Sequence, residues 1–221
     1  MVILKNVYKS YKTGEVVTEV IKGLNLEIKQ GEFVAIIGPS GSGKSTILNM
    51  IGGLDTPSKG DIFVDNQDIA KLSDAELSKF RAKKLGFIFQ DFNLIPVFTV
   101  RENIKFVLDV IKHSNEDIEH LLQEIGILEH IDKFPDQLSG GQKQRVAVAR
   151  ALVGKPKLIL ADEPTANLDS KSAQKVIEIM KKMQKEFNTT FIFSTHDTRL
   201  TSEVSRILEL EDGKIVRDIK K

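Results

Sequence analysis

The chain has 221 residues, enough for one sizeable core with a small lobe attached, and its 41% hydrophobic and 29% charged residues are ordinary for a soluble globular protein. A net charge of +1 offers no global attraction to nucleic acid or anionic membrane, and the lack of cysteine excludes disulfides and thiol chemistry, in keeping with the cytosol. Met1-Val2-Ile3-Leu4-Lys5 lacks the apolar core of a secretory leader and no run approaches the roughly 18 apolar residues of a spanning helix, so any membrane role is expected to go through a partner.

In chain order, the alternation in Val2 to Val7 and in Leu24 to Ile28 predicts half-buried antiparallel strands, and Asp61 to Val64 predicts another. Between them, the apolar run Phe33-Val34-Ala35-Ile36-Ile37 reads as a buried strand. Gly38-Pro39-Ser40-Gly41-Ser42-Gly43-Lys44-Ser45 follows it with the spacing G-x-x-x-x-G-K-[ST], and Ser45 to Met50 reads as the start of a helix. Strand, glycine-rich loop and helix in that order are the context a phosphate-binding loop requires. Gly38, Gly41 and Gly43 let the backbone curl with its N–H groups inward, and the helix N-terminus adds partial positive charge. Lys44 is placed to reach the β- and γ-phosphates of a nucleoside triphosphate, Ser45 to offer its hydroxyl to Mg²⁺, and Thr46 lies beside them.

Helical signals come next. Ser73 with Glu76, and Thr99 with Glu102, are capping boxes ahead of apolar-periodic stretches, and Ile118, Leu121, Leu122 and Ile125 mark one face of a helix ending at Gly126. The stretch from about 91 to 155 is therefore expected to form a helical lobe. Apolar strands are predicted at Leu158-Ile159-Leu160-Ala161, Thr190-Phe191-Ile192-Phe193 and Ile207-Leu208-Glu209-Leu210. An amphipathic helix within 170–187 separates the first two, which argues a parallel sheet covered on both faces. Asp212-Gly213 predicts a closing hairpin turn.

The first of these strands ends in Asp162-Glu163, at the edge where a parallel sheet gathers ligand-binding groups. Asp162 fits a Mg²⁺ partner and Glu163 a base that orients an attacking water; alone, the two acids would more simply cap the turn at Pro164. His196, after the strand ending Ser194-Thr195, is placed near the γ-phosphate by the same argument. Leu138-Ser139-Gly140-Gly141-Gln142 reads as a second anion site: Ser139 can cap a helix beginning near Gln142, and the paired glycines leave backbone N–H groups bare, whereas an ordinary capped helix start would explain Ser139 but not the glycines.

These residues carry a family resemblance from end to end: the chain resembles the ATPase subunits of ABC transporters. Leu138–Gln142 matches the family's signature sequence, Gln90 after Phe87-Ile88-Phe89 the Q-loop glutamine, Ala166-Asn167-Leu168-Asp169 the D-loop, and His196 the switch histidine. Tyr11 matches the aromatic that stacks on adenine, with Tyr8 the less favoured alternative. Phe92-Asn93-Leu94-Ile95-Pro96, with Ala161-Asp162-Glu163-Pro164-Thr165, is most similar to the lipoprotein-releasing and macrolide-efflux type, close to the cell-division type. The segment between Gln90 and Leu138 is short for that subgroup, so the lobe reads as trimmed.

The resemblance implies one α/β domain over 1–221. Its P-loop NTPase core (1–90 and 156–221) would have a mainly parallel sheet and an N-terminal antiparallel β subdomain, with an α-helical subdomain (91–155) inserted. It also implies an ATPase using ATP and Mg²⁺, the ion held by Ser45, Gln90 and Asp162, with Glu163, His196 and Gln90 serving hydrolysis. Two copies would pack head to tail so that each Ser139–Gln142 segment covers the γ-phosphate held by the other copy. The implied partners are this second copy and an integral membrane permease, on the cytoplasmic face of the cell membrane. A complex that signals and transports nothing would use the same machinery. An ABC ATPase acting on nucleic acid or ribosomes is the alternative, but such proteins usually carry a coiled-coil insertion or two cassettes, and the near-neutral charge lends no support. Phe92, Leu94, Ile95 and Phe98 are read with equal weight as partner contacts or as core of the lobe.

Overall fold

The computed structural model describes residues 1–113, 117–196 and 198–221. Two sheets organise them. The first is antiparallel, in the order β2-β1-β4-β5, from β1 (Val2–Thr13), β2 (Val16–Ile28), β4 (Lys59–Val64) and β5 (Gln67–Asp68). The second has the order β10-β9-β3-β8-β7-β6 and comprises β3 (Phe33–Ile37), β6 (Leu85–Ile88), β7 (Leu158–Asp162), β8 (Thr190–Thr195), β9 (Arg206–Glu211) and β10 (Lys214–Lys220). Its strands are parallel except for β10, which returns from β9 through the Asp212-Gly213 turn.

Six α-helices complete the described fold: α1 (Lys44–Ile51), α2 (Asp74–Lys84), α3 (Val100–Ile111), α4 (Ile118–Ile125), α5 (Gly140–Leu152) and α6 (Ser170–Phe187). Both capping boxes form, with the Ser73 N–H donating to Glu76 at 2.9 Å and the Thr99 N–H to Glu102 at 2.8 Å. Three of the helices lie between β6 and β7, one of them opened by the signature. The large sheet divides the apolar interior. One cluster, including Phe33, Ile104, Val146, Met180 and Phe193, joins the sheet to α3, α4, α5 and α6. The other, including Ile21, Met50, Ile62, Phe80 and Leu208, joins it to α1, α2 and the antiparallel sheet. Burial on both faces explains why β3, β7 and β8 read as unbroken apolar runs.

Parallel register decides where the chemistry falls. Ile37 pairs with Thr195, Asp162 with Ser194 and Ile88 with Ala161, so four strands end at one edge of the sheet. The glycine loop, the Asp162-Glu163 pair, His196 and Gln90 all follow from those ends.

Candidate functional site

The glycine loop runs from β3 into α1. At Gly38 a side chain has no room, because a Cβ would lie 2.1 Å from the Leu210 carbonyl oxygen on β9. Lys44 is buried to 9% exposure and folds back over the loop, its ammonium donating to the carbonyls of Gly38 (2.9 Å) and Pro39 (3.0 Å). The Ser42 hydroxyl is buried and has no hydrogen-bond partner among the described residues. An orphaned hydroxyl inside a glycine-rich loop at a helix N-terminus is an arrangement that an anion can complete. Ser40, Gly41 and Ser45 are exposed.

Ser45 reaches across to β7, its hydroxyl donating to Asp162 Oδ1 at 3.0 Å. The same oxygen accepts from Ser194 on β8, opposite Asp162 in the register. Ser194 also accepts from the Glu163 N–H at 3.0 Å, so one hydroxyl fixes two adjacent acids. Glu163 has φ 47°, in the left-handed region, a costly conformation for a residue with a Cβ. That turn sends its carboxylate away from Asp162, to within 3.0 Å of His196 Nδ1. The Glu163 side chain is 14% exposed and that of His196 is 70% exposed. Among the described residues no group of three or more His, Asp or Glu stands ready to hold a metal ion. Mg²⁺ suits such a site, since it usually takes one or two carboxylates and completes its shell with phosphates and water.

Gln90 is exposed just beyond β6, and its carbonyl accepts from Asn167 Nδ2 at 3.1 Å. Asp169 caps α6, accepting from the N–H groups of Lys171 and Ser172. Hydrogen bonds from the Ser172 hydroxyl and amide hold its carboxyl below the usual carboxylate range. Tyr11 is open to solvent on β1, its hydroxyl donating to Asp55 at 2.6 Å and lying beside Thr46. The Lys9 ammonium sits 4.7 Å from the centre of the ring and is also paired with Asp55. Burial, then the Asp55 carboxylate, pushes the Tyr11 phenol above its ordinary range. Tyr8 is instead packed under β2, its hydroxyl 2.9 Å from where a Cβ of Gly23 would be.

The signature opens α5 at Gly140, two residues before the Gln142 start that its sequence suggests. Ser139 accepts from the Gln142 N–H at 3.3 Å, and Gln142 Oε1 accepts from the Ser139 N–H at 2.7 Å, a reciprocal capping box. The paired glycines have a packing cause as well as exposed amides: a Cβ on Gly141 would lie 2.9 Å from the Ser172 hydroxyl on α6. The neighbours of the signature among the described residues include Asn167, Leu168, Ser172, His130 and Arg145, none of them on the glycine loop. Lys44, Ser45, Asp162, Glu163 and His196 thus come together within one chain, and Ser139–Gln142 stands apart from them.

Several functional contacts escape a reading of the sequence. Gln144 is 1% exposed and donates to the Pro164 carbonyl at 2.6 Å, tying α5 to the Glu163 turn. Arg150 donates to the carbonyls of Phe92 (2.7 Å) and Asn93 (2.5 Å), residues whose positive φ values, 62° and 48°, shape the loop after Gln90. Ser194, Asn167 and Asp55 join them. Each acts across strands or helices far apart in sequence, so no local spacing announces it.

A groove of about 450 Å³ lies between the end of β6 and helices α2, α3 and α5, lined by residues including Phe87, Ile95, Phe106, Val110 and Arg150. The four apolar residues after Gln90 divide: Leu94 packs on the core, Ile95 faces the groove, and Phe98 meets Phe106 with the rings tilted by 55° and their centres 6.1 Å apart. Phe92 is half-buried, its carbonyl taken by Arg150.

Comparison with known proteins places this geometry. The ABC transporter family matches residues 21–166. The chain is 46% identical over 229 residues to the ABC transporter ATP-binding protein MJ0796 of Methanocaldococcus jannaschii, covering all of this chain and 97% of that one. A dimeric structure of the MJ0796 cassette in a post-hydrolysis state, bound to ADP and Pi, superposes with a TM-score of 0.92 at 45% identity, over 100% of this chain and 98% of that chain. The lipoprotein-releasing system ATP-binding protein LolD of Acinetobacter baylyi is 44% identical over 214 residues, 95% of this chain and 94% of that one. The macrolide export ATP-binding/permease protein MacB of Rhodopirellula baltica is 39% identical over the whole chain, which spans 33% of that longer protein.

Proposed function

The chain belongs to the ABC transporter family, and from that premise we propose that it is an ATP-hydrolysing subunit that dimerises on ATP and drives a separate membrane protein. The observation that carries the reading is the union, at one sheet edge, of a phosphate cradle, a hydroxyl–carboxylate pair (Ser45–Asp162) and a second carboxylate held by an imidazole (Glu163–His196). Gly38 to Thr46 would hold the phosphates, with the Ser42 hydroxyl and Lys44 ammonium turning from their present positions toward them. Ser45, Asp162 and Gln90 would hold Mg²⁺, which when bound supplies positive charge against the phosphates. Glu163 would orient water for attack on the γ-phosphate and take its proton, while His196 steadies that carboxylate. Tyr11 would stack on adenine.

Ser139–Gln142 has no second phosphate in its own chain, and the structural relative is a dimeric cassette bound to ADP and Pi. The shared-site arrangement follows: each signature, with Asp169 nearby, meets the nucleotide of the other copy. No helix among the described residues is long and apolar enough to cross a membrane. LolD is named for a lipoprotein-releasing system and MacB as a macrolide export ATP-binding/permease protein, and we assign this chain to the cytoplasmic face of a membrane, docked to a permease. The groove beside Gln90 is its seat, because Arg150 links the groove floor to α5, the helix whose other end is the signature.

Glu163→Gln keeps shape and hydrogen bonding and removes the carboxylate. Turnover should fall by orders of magnitude, about 10² or more, with ATP still bound by calorimetry; near-normal turnover would sink the assignment.

A further inference from the structure

Gln142 is the last residue of the signature, and its amide is oriented from one side. The Ser139 N–H donates to Gln142 Oε1 at 2.7 Å, which leaves the amide nitrogen on the far side, 2.6 Å from His130 Nε2. An amide nitrogen brings protons and no lone pair, so at that distance His130 Nε2 must be the acceptor. The imidazole is then neutral, with its proton on Nδ1. That atom is buried and finds no hydrogen-bond partner among the described residues, so the tautomer is decided at Nε2, where the Gln142 amide at 2.6 Å is nearer than Glu129 Oε1 at 3.4 Å.

We propose that His130 is a positioning residue for the ATP site shared between two copies: its Nδ1–H tautomer holds the Gln142 amide, which holds the Ser139 N–H and presets the N-terminus of α5. The proposal rests on the shared-site reading above. It also makes the signature sensitive to protonation. A second proton would set two donors against each other at 2.6 Å, and Gln142 would have to leave or turn its amide over, surrendering Ser139. Glu129, on the same turn as His130, has Oε1 3.4 Å from Nε2 and would take the new N–H. On α5, the Arg145 guanidinium is committed to the carbonyls of Gly126 and Gly141. A doubly protonated His130 would exchange the Gln142 contact for the Glu129 contact.

Two measurements test this. Long-range ¹H–¹⁵N spectra of the nucleotide-free, ¹⁵N-labelled chain, with His130→Gln assigning its signal among four histidines, should show the Nδ1–H tautomer at about pH 8. An Nε2–H tautomer overturns the proposal. The second is ATP-driven dimerisation of the Glu163→Gln chain by light scattering between about pH 8 and pH 5.5, the histidine range. Adding His130→Phe, which cannot accept, should weaken dimerisation about tenfold at pH 8, the scale of one hydrogen bond lost in each of two signatures, and by much less at pH 5.5. Adding His130→Gln, whose oxygen accepts without titrating, should restore it and reduce the acid loss. An acid loss in the Gln variant equal to that of the parent, or unimpaired dimerisation of the Phe variant at pH 8, overturns the proposal. A Glu163→Gln parent that fails to dimerise at pH 8 overturns the shared-site reading instead, and the tautomer measurement still decides His130.

Discussion

Asp162 and Glu163 are neighbours in sequence but serve different partners, and the backbone separates them. Asp162 completes β7 and meets Ser45; Glu163 turns to φ 47° and meets His196. The acid pair was legible as a pair at a strand end, because four apolar residues precede it. What could not be read is Ser194, which fixes both acids, since its role depends on the β7–β8 register. Tyr11 shows a similar limit: adenine stacking uses the ring face, and the sequence gives no sign that the hydroxyl is spent on Asp55. Tyr11→Phe should therefore cost ATP affinity a fewfold, about one net hydrogen bond, and Tyr11→Ala more, since base stacking is worth about 1–3 kcal/mol. Calorimetry on the Glu163→Gln chain checks this; a larger loss from Tyr8→Ala would reverse the two assignments.

Helices with capping boxes and strands buried on both faces are the elements the sequence declares most clearly. Strand β6 was missed as a strand: it is four residues long and α2 runs into it without a break, so neither period nor punctuation marks it. Strands β1 and β2 extend past their alternating stretches to a hairpin at 13–16, where Val16 and Val17 stay exposed and the apolar pattern carries no signal. The β4–β5 turn shows how elements are fastened. Asp65 and Asn66 both have positive φ, and Asp65 bonds Lys84 at the end of α2 (2.9 Å) and Lys157 before β7 (3.0 Å). Burial pushes the Asp65 carboxyl up, but the hydrogen bonds from Lys84 and Lys157 outweigh it and hold it below the usual carboxylate range. Its folded value lies below its unfolded value, so its contribution is present at neutral pH and is lost as pH falls through the folded value. Asp65→Asn, which tolerates the left-handed turn, should cost about 1 kcal/mol at neutral pH. Denaturant unfolding should show that difference shrinking below about pH 4; a gap independent of pH would contradict the clamp.

Beside Gln90, packing separates the two readings of the segment that follows, since Phe92, Leu94, Ile95 and Phe98 are all half-buried. Leu94 is partly buried and packs against the core, and Leu94→Ser should destabilise the fold by about 1–2 kcal/mol. Val97 and Val110 are 74% and 53% exposed. Replacing both by Asp should abolish stimulation by the membrane partner and leave basal ATPase activity of the isolated chain unchanged; loss of basal activity would show that they serve the lobe itself.

Across the whole molecule, the parallel sheet is what turns dispersed residues into a site, since equal register brings the ends of β3, β6, β7 and β8 to one edge. The loop spacing and apolar strands made that edge readable in the sequence. The position of the signature was not readable, because it depends on how α5 packs on α6 through Gly141 and on the Asn167–Gln90 contact. Its separation from the glycine loop is what motivates the proposal that a single copy binds ATP without completing a site. Light scattering at matched concentrations should find the Glu163→Gln chain monomeric without nucleotide and dimeric with saturating ATP, because the unhydrolysed γ-phosphates join the two halves. Adding Ser139→Arg should return it to a monomer that still binds ATP by calorimetry. A Glu163→Gln chain that stays monomeric with ATP bound, or a double variant that still dimerises, would contradict the shared site.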